Sequence, residues 1–149
     1  MIAVDTNILV YAHREEFDEH EAALIWLNHL ARGSVPWGLP VFALGEFIRV
    51  VTHARVFDPP TAIERAIAAL HALLDMPSVR VLGPDRAYPS HLLEAVRIGR
   101  AAGNLAFDAQ IAAVCREHGV GRLLTRDRDF SRFPWIEIVD LDAEPAGFV

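Results

Sequence analysis

The sequence predicts an α/β protein, a three-layer α/β/α sandwich around a central, mainly parallel sheet of about five short strands. Three observations predict it. Short apolar runs such as "IAV", "VRVL" and "RLLT" alternate with longer stretches of helical period. Glycine and proline punctuate the junctions, as at Gly33, Pro59-Pro60, Pro77 and Gly83-Pro84. The chain has 149 residues, 52% of them apolar, enough to bury one core and no more. Residues 1–140 are expected to form the domain, with a tail at 141–149, "LDAEPAGFV", lying on the surface or frayed.

The elements follow in order. Residues 2–4 read as a strand, and residues 6–12 continue as a helix. The stretch "DEHEAALIWLNHLAR" (18–32) places Ala22, Ile25, Trp26, His29 and Leu30 along one helical face, with acids in the first turn, where the helix dipole favours them. Gly33 ends it. A second strand is expected at 35–37, and Pro40 suits the first turn of a helix running to about residue 54. Helix is expected again at 61–74, strand at 79–82, helix at 90–101 and 105–118, and strands at 122–125 and 136–139.

Composition removes several function classes. The single cysteine, Cys115, rules out an intrachain disulfide and every multi-cysteine zinc or iron–sulfur pattern; its apolar helical setting suits a packed thiol. All fourteen Lys/Arg residues are arginine, so there is no P-loop lysine and no Schiff-base lysine. Net charge is −6, which argues against gripping nucleic acid by general electrostatics but leaves chemistry at a metal site open. The N-terminus carries no basic leader, and no apolar run approaches the ~20 residues of a membrane span. A soluble, intracellular (cytoplasmic) protein is expected, with no membrane partner.

Four groups of carboxylates fit a solvated surface poorly. Asp5 interrupts the apolar run "MIAVDTNILVYA" directly after the first strand. Glu46 shares its helical face with Phe42, Ala43 and Val50; Asp108 shares one with Ile111, Ala112 and Cys115. Asp127 and Asp129, in "LLTRDRDF", follow the fourth strand. Each has a bland reading: a turn or N-cap for Asp5 and Asp127, an ion pair with Arg49 or Arg97 for Glu46 and Asp108. Together, in a parallel α/β fold, they can converge on the carboxyl edge of the sheet. Like charges there repel unless a cation lies among them, and hard oxygen ligands select Mg²⁺ or Mn²⁺ over zinc. Such a site suits attack of water on a phosphodiester.

"MIAVDTNILVYA", "LPVFALGEFIRVVTHARVF", "GNLAFDAQIAAVCREHG" and "LLTRDRDFSRFP" resemble the PIN-domain ribonucleases, specifically VapC-type toxins of bacterial toxin–antitoxin pairs. The four motifs occur in the family's order, from residue 2 to about residue 140. By position the resemblance puts the family's four acids on Asp5, Glu46, Asp108 and Asp127, with Asp5, Asp108 and Asp127 as metal ligands. Thr6, Asn7, Asn104 and Thr125 match polar positions that line or support such sites. Asp129 is left as either an auxiliary acid or a cap of the following turn. The resemblance implies a Mg²⁺-dependent endoribonuclease, with Mn²⁺ as substitute, cutting tRNA or rRNA. It also implies a homodimer and inhibition by a VapB-type antitoxin.

Two rivals stand beside this reading. An aspartyl-phosphate phosphatase wants a second acid two residues after the first, where this chain has Asn7, and a lysine, of which it has none. A catalytically weak PIN module that binds RNA or antitoxin would keep the fold without turnover. Other features carry less. "EEFDEHE" suits a solvated helix start, and no His-Glu-x-x-His is present. His53 and His71 are expected to be partly packed. Arg126 or Arg128 is expected to touch RNA phosphates, with surface ion pairs as the alternative. Trp26 and Trp37 are expected to pack rather than stack on bases. In the sequence's "DTN", Thr6 or Asn7 is expected to cap the helix, freeing Asp5.

Overall fold

A computed structural model describes residues 1–148. Its five strands are β1 (Ile2–Val4), β2 (Trp37–Pro40), β3 (Val79–Leu82), β4 (Arg122–Leu124) and β5 (Glu137–Val139). They form one sheet in the order β3-β2-β1-β4-β5, with every neighbouring pair parallel. Six helices connect them: α1 (Thr6–His13), α2 (His20–Arg32), α3 (Val41–Val51), α4 (Ile63–Leu74), α5 (Tyr88–Gly99) and α6 (Leu105–Glu117). Parallel strands need such crossovers, and helices on both faces bury the central strands β1 and β2, while the edge strands β3 and β5 keep exposed residues.

The period of two along β1 divides the core. Ile2 and Val4 point into a cluster built with Leu9, Trp26, Leu30, Phe47 and Leu70 from α1 to α4. Ala3, between them, points to the opposite face, where Ala95, Ala109, Ile111, Cys115 and Phe130 pack from α5, α6 and the turn after β4. The sheet is therefore the middle layer, as the sequence predicts. Cys115 is fully buried, and burial pushes its thiol up to about 12, which suits an inert packing residue.

Several boundaries move. The second strand begins at Trp37, two residues later than expected, and ends on Pro40, three later, because its pairing with β3 runs from Trp37 opposite Val79 to Pro40 opposite Leu82. Pro40 is thus the residue before α3, which stops at Val51 rather than near residue 54. His53 lies beyond that end, and both it and His71 are exposed, not partly packed. Helix α5 begins two residues early with a proline in its first turn.

The tail 141–149, expected on the surface or frayed, is described up to Phe148. Leu141 is buried and its carbonyl accepts the Trp26 indole N–H at 3.0 Å, while Phe148 lies 5.7 Å from the Trp26 ring. Residues up to Phe148 are therefore docked on α2 rather than frayed; Val149 lies outside the described residues. Trp37 likewise packs internally, its indole N–H donating to Ser78 Oγ at 3.2 Å. None of the described helices is long and apolar enough to cross a membrane.

Candidate active site

The chain leaves β1 towards β2 on one side, while β4 pairs with β1 on the other. The carboxyl ends of β1 and β4 are therefore a topological switch point, where open α/β sheets hold ligands. Val4 and Leu124 are in register, and the Asp5 N–H donates to the Leu124 carbonyl at 3.0 Å. Asp5 and Thr125 are consequently the first residues past two adjacent strands.

Asp5 caps α1 itself, correcting the expectation that Thr6 or Asn7 does so. A carboxylate has two oxygens, so capping does not compete with a role in the site. Oδ1 accepts the Thr6 N–H at 2.7 Å and Oδ2 accepts the Thr125 hydroxyl at 2.6 Å. Asp5 is only 6% exposed and Thr125 0%. The Thr125 hydroxyl spends its one proton on Asp5, and its oxygen accepts from Asn7 Nδ2 at 3.2 Å and the Asp127 N–H at 2.9 Å. One buried threonine thus ties β1, α1 and the segment after β4 into a single rigid unit.

The other acids arrive from separate helices. Glu46 sits in the second turn of α3, where its Oε2 accepts the Thr6 hydroxyl at 3.2 Å. Arg49, one turn on, approaches Glu46 only to 3.7 Å from an exposed position, so the predicted pairing is loose. Asp108 lies in the first turn of α6, on the dipole's positive side. Asp127 Oδ1 accepts the Asp129 N–H at 2.8 Å and caps the short 3-10 turn Arg128–Arg132. Asp5, Glu46, Asp108 and Asp127 line one cavity of about 180 Å³, with Asn7 and Tyr11. Carboxylate oxygens of Asp108, Asp127 and Asp129 lie within 4.8 Å of one another. Asp129, left ambiguous by sequence, therefore lies exposed beside Asp108 and Asp127 without lining the cavity, and the turn's cap is Asp127.

Three residues singled out by sequence lie outside the cavity lining. Asn104 precedes α6 with an exposed side chain that makes no cap hydrogen bond and does not line the cavity. Arg126 is held by Asp140 at 3.1 Å and Asp142 at 3.0 Å, and Arg128 by Asp140 at 3.3 Å. Both arginines are thus engaged in surface ion pairs, the alternative expected beside a phosphate contact. Conversely, sequence reading passed over Tyr11, whose signal was its spacing of one helical turn from Asn7 on α1.

The electrostatics set this cavity apart. Burial pushes the Asp5 carboxyl up to about 7, against the lowering effect of its Thr125 and Thr6 hydrogen bonds, with Glu46 and Asp127 adding repulsion. Asp108 is also raised to about 7, first by burial and then by Asp127, Asp5, Asp129 and Glu46. The Asn7 Oδ1 atom is buried without a hydrogen-bond partner among the described residues. Mutually repelling carboxylates and an unsatisfied amide oxygen on the residues of one cavity leave a concentration of hard acceptors for a cation.

Known proteins share this chain's family and fold. The PIN domain profile matches residues 2–136. The chain is 40% identical over 133 residues to Ribonuclease VapC43 of Mycobacterium tuberculosis, covering 89% of this chain and 90% of that protein. It is 31% identical over 137 residues to Ribonuclease VapC48 of the same species, covering 91% and 94%. Among solved structures it is similar to M. tuberculosis VapC20, described as a Sarcin-Ricin loop cleaving toxin (TM-score 0.66, 21% identity, covering 88% of this chain and 93% of that one). FitAcB of Neisseria gonorrhoeae has the same fold at TM-score 0.68 and 19% identity, covering 95% and 98%.

Proposed function

The chain belongs to the PIN-domain family, among the VapC ribonucleases, and on that premise we propose that it is a divalent-metal-dependent endoribonuclease toxin. The observation that carries this reading is the convergence of Asp5, Glu46, Asp108 and Asp127, from four separate segments, on one cavity at the switch point. The donor set fits a hard cation: oxygen ligands only, two of them raised to about 7 by burial and mutual repulsion. Asp5, Asp108 and Asp127 are the residues that would hold it, with Asp129 auxiliary; Mg²⁺ is the expected ion and Mn²⁺ its substitute.

Such an ion supplies Lewis acidity, favouring the deprotonated form of a water nucleophile and offsetting charge that builds on the phosphoryl oxygens. The chain's own part is preorganisation. Thr125 fixes the Asp5 carboxylate through Oδ2 and Asp127 through its N–H, so the two acids share one frame. Thr6 holds Glu46 towards the cavity, where it orients the attacking water opposite the leaving oxygen. Repulsion among the acids, relieved only by a cation, keeps a polyanion out of the metal-free site.

The same reading carries tRNA or rRNA as substrate, a VapB-type antitoxin as inhibitory partner, a homodimer in solution and action in the cytoplasm. The test is cleavage of total RNA in Mg²⁺ by purified, antitoxin-free protein beside Asp5→Ala and Asp108→Ala. The expected loss in each variant exceeds the roughly 10- to 100-fold that outer-shell partners of a metal cost. Equal cleavage by all three proteins would overturn the mechanism.

A further inference from the structure

A second cavity, of about 240 Å³, opens beside the first between α3 and α6, lined by Phe42, Gly45, Glu46, Arg49, Phe107 and Gln110. Glu46 lines both cavities, so the two adjoin at this residue. The residues follow from helix geometry. On α3, Phe42, Glu46 and Arg49 recur at one-turn spacing on one face; on α6, Phe107 adjoins the acid Asp108, and Gln110 lies three residues on.

The chemistry of this cleft differs from its neighbour's. Phe107 is 60% exposed, a large aromatic left in water beside a charged site. Phe42 stands opposite, backed by Tyr88 at a ring separation of 5.8 Å in a stacked arrangement. Nothing lies within 4 Å of where a side chain on Gly45 would begin, so the floor is open. At the rim stand the exposed Arg49 guanidinium and the Gln110 amide, a cation and a donor–acceptor pair.

A flat π-face, open space over Gly45 and an amide beside it, next to the cavity proposed to cleave RNA, match an unstacked base. Aromatic stacking with edge hydrogen bonds is how proteins read single-stranded RNA. We propose that this cleft is a nucleobase subsite, in which a base flanking the scissile phosphate stacks on Phe107 while Gln110 reads its edge and Arg49 meets a backbone phosphate. The inference rests on the ribonuclease reading above and adds the element that selects where the strand is cut.

The test is fluorescence anisotropy with fluorescein-labelled 12-mers of oligo(A), oligo(C), oligo(G) and oligo(U), with Ca²⁺ replacing Mg²⁺. Phe107→Ala is expected to weaken the best-bound oligomer by roughly 5- to 100-fold, the worth of one base–aromatic stack, and Phe107→Trp to restore it. Gln110→Ala is expected to narrow the differences among the four. Exposure of Phe107 predicts an unchanged melting temperature for both Phe107 variants, and sedimentation velocity should give wild-type profiles. Wild-type binding of all four oligomers by Phe107→Ala overturns the subsite while leaving the nuclease intact if RNA is still cleaved in Mg²⁺. A smaller sedimenting species for Phe107→Ala also overturns it, because the face then joins two copies of the chain. A wild-type protein that neither binds nor cleaves RNA removes both readings.

Discussion

Two groups of acids sit beyond the carboxyl ends of the strands, one beside β1 and β4 and one after β5, and are treated oppositely. Asp140 and Asp142 face Arg126 and Arg128 at 3.0 to 3.3 Å, and Asp140 is held below its ordinary range by the Asp142 N–H and by Arg126. Asp5 and Asp108 have no such cations close by, and burial raises both to about 7. A surface can neutralise its acids with arginines at little cost, and this chain does so within a few residues of the cavity. What sets Asp5 and Asp108 apart is that they are buried or half-buried without such a partner, which points to a cation from outside the chain.

The difference has a thermodynamic sign. Asp5 and Asp108 have folded-state values above their ordinary one, so between about pH 4 and 7 the folded chain holds protons that the unfolded chain has released. Their contribution to stability is present in acid and is lost as pH rises through 7. Asp140 runs the other way: its contribution is present above its ordinary value and is lost as pH falls.

The largest effect expected from breaking the comparison is at the hub. Thr125→Val keeps the volume but removes the proton donated to Asp5 and the acceptor used by Asn7 and Asp127. RNA cleavage should fall by roughly 10- to 100-fold, the usual cost of losing an outer-shell partner. Thermal unfolding should show a loss of about 1–3 kcal/mol from the groups left unpaired. A variant that cleaves RNA like the wild type would separate Thr125 from the site. The smallest effect is expected on the compensated side. Arg126→Ala removes two exposed ion pairs and should change stability by no more than about 1 kcal/mol, with RNA cleavage unchanged in a salt titration.

The same contrast explains what was legible in the sequence. Asp5 showed itself because a charge broke an apolar run, and Glu46 and Asp108 because each shared a helical face with apolar residues. These are local patterns. The shift of β2 to end on Pro40 depended on pairing with β3, which a single segment does not record. The docking of the tail rests on the Trp26–Leu141 hydrogen bond, spanning 115 residues, and Asp129's place beside Asp108 on the approach of α6 to the turn after β4. Asn104 matched a family position, yet its side chain faces solvent at the start of α6. Contacts made across the sheet were beyond a reading that runs along the chain.

The central claim is that the uncompensated acids form a cation site, and a Mn²⁺ titration followed by electron paramagnetic resonance at pH 6 and pH 8 tests it most directly. Metal ligands must be deprotonated, and Asp5 and Asp108 both lie at about 7. The account predicts saturable binding that is tighter at pH 8, abolished by Asp108→Asn and retained by Asp140→Asn. Binding indifferent to Asp108→Asn, or lost equally in both variants, would contradict it.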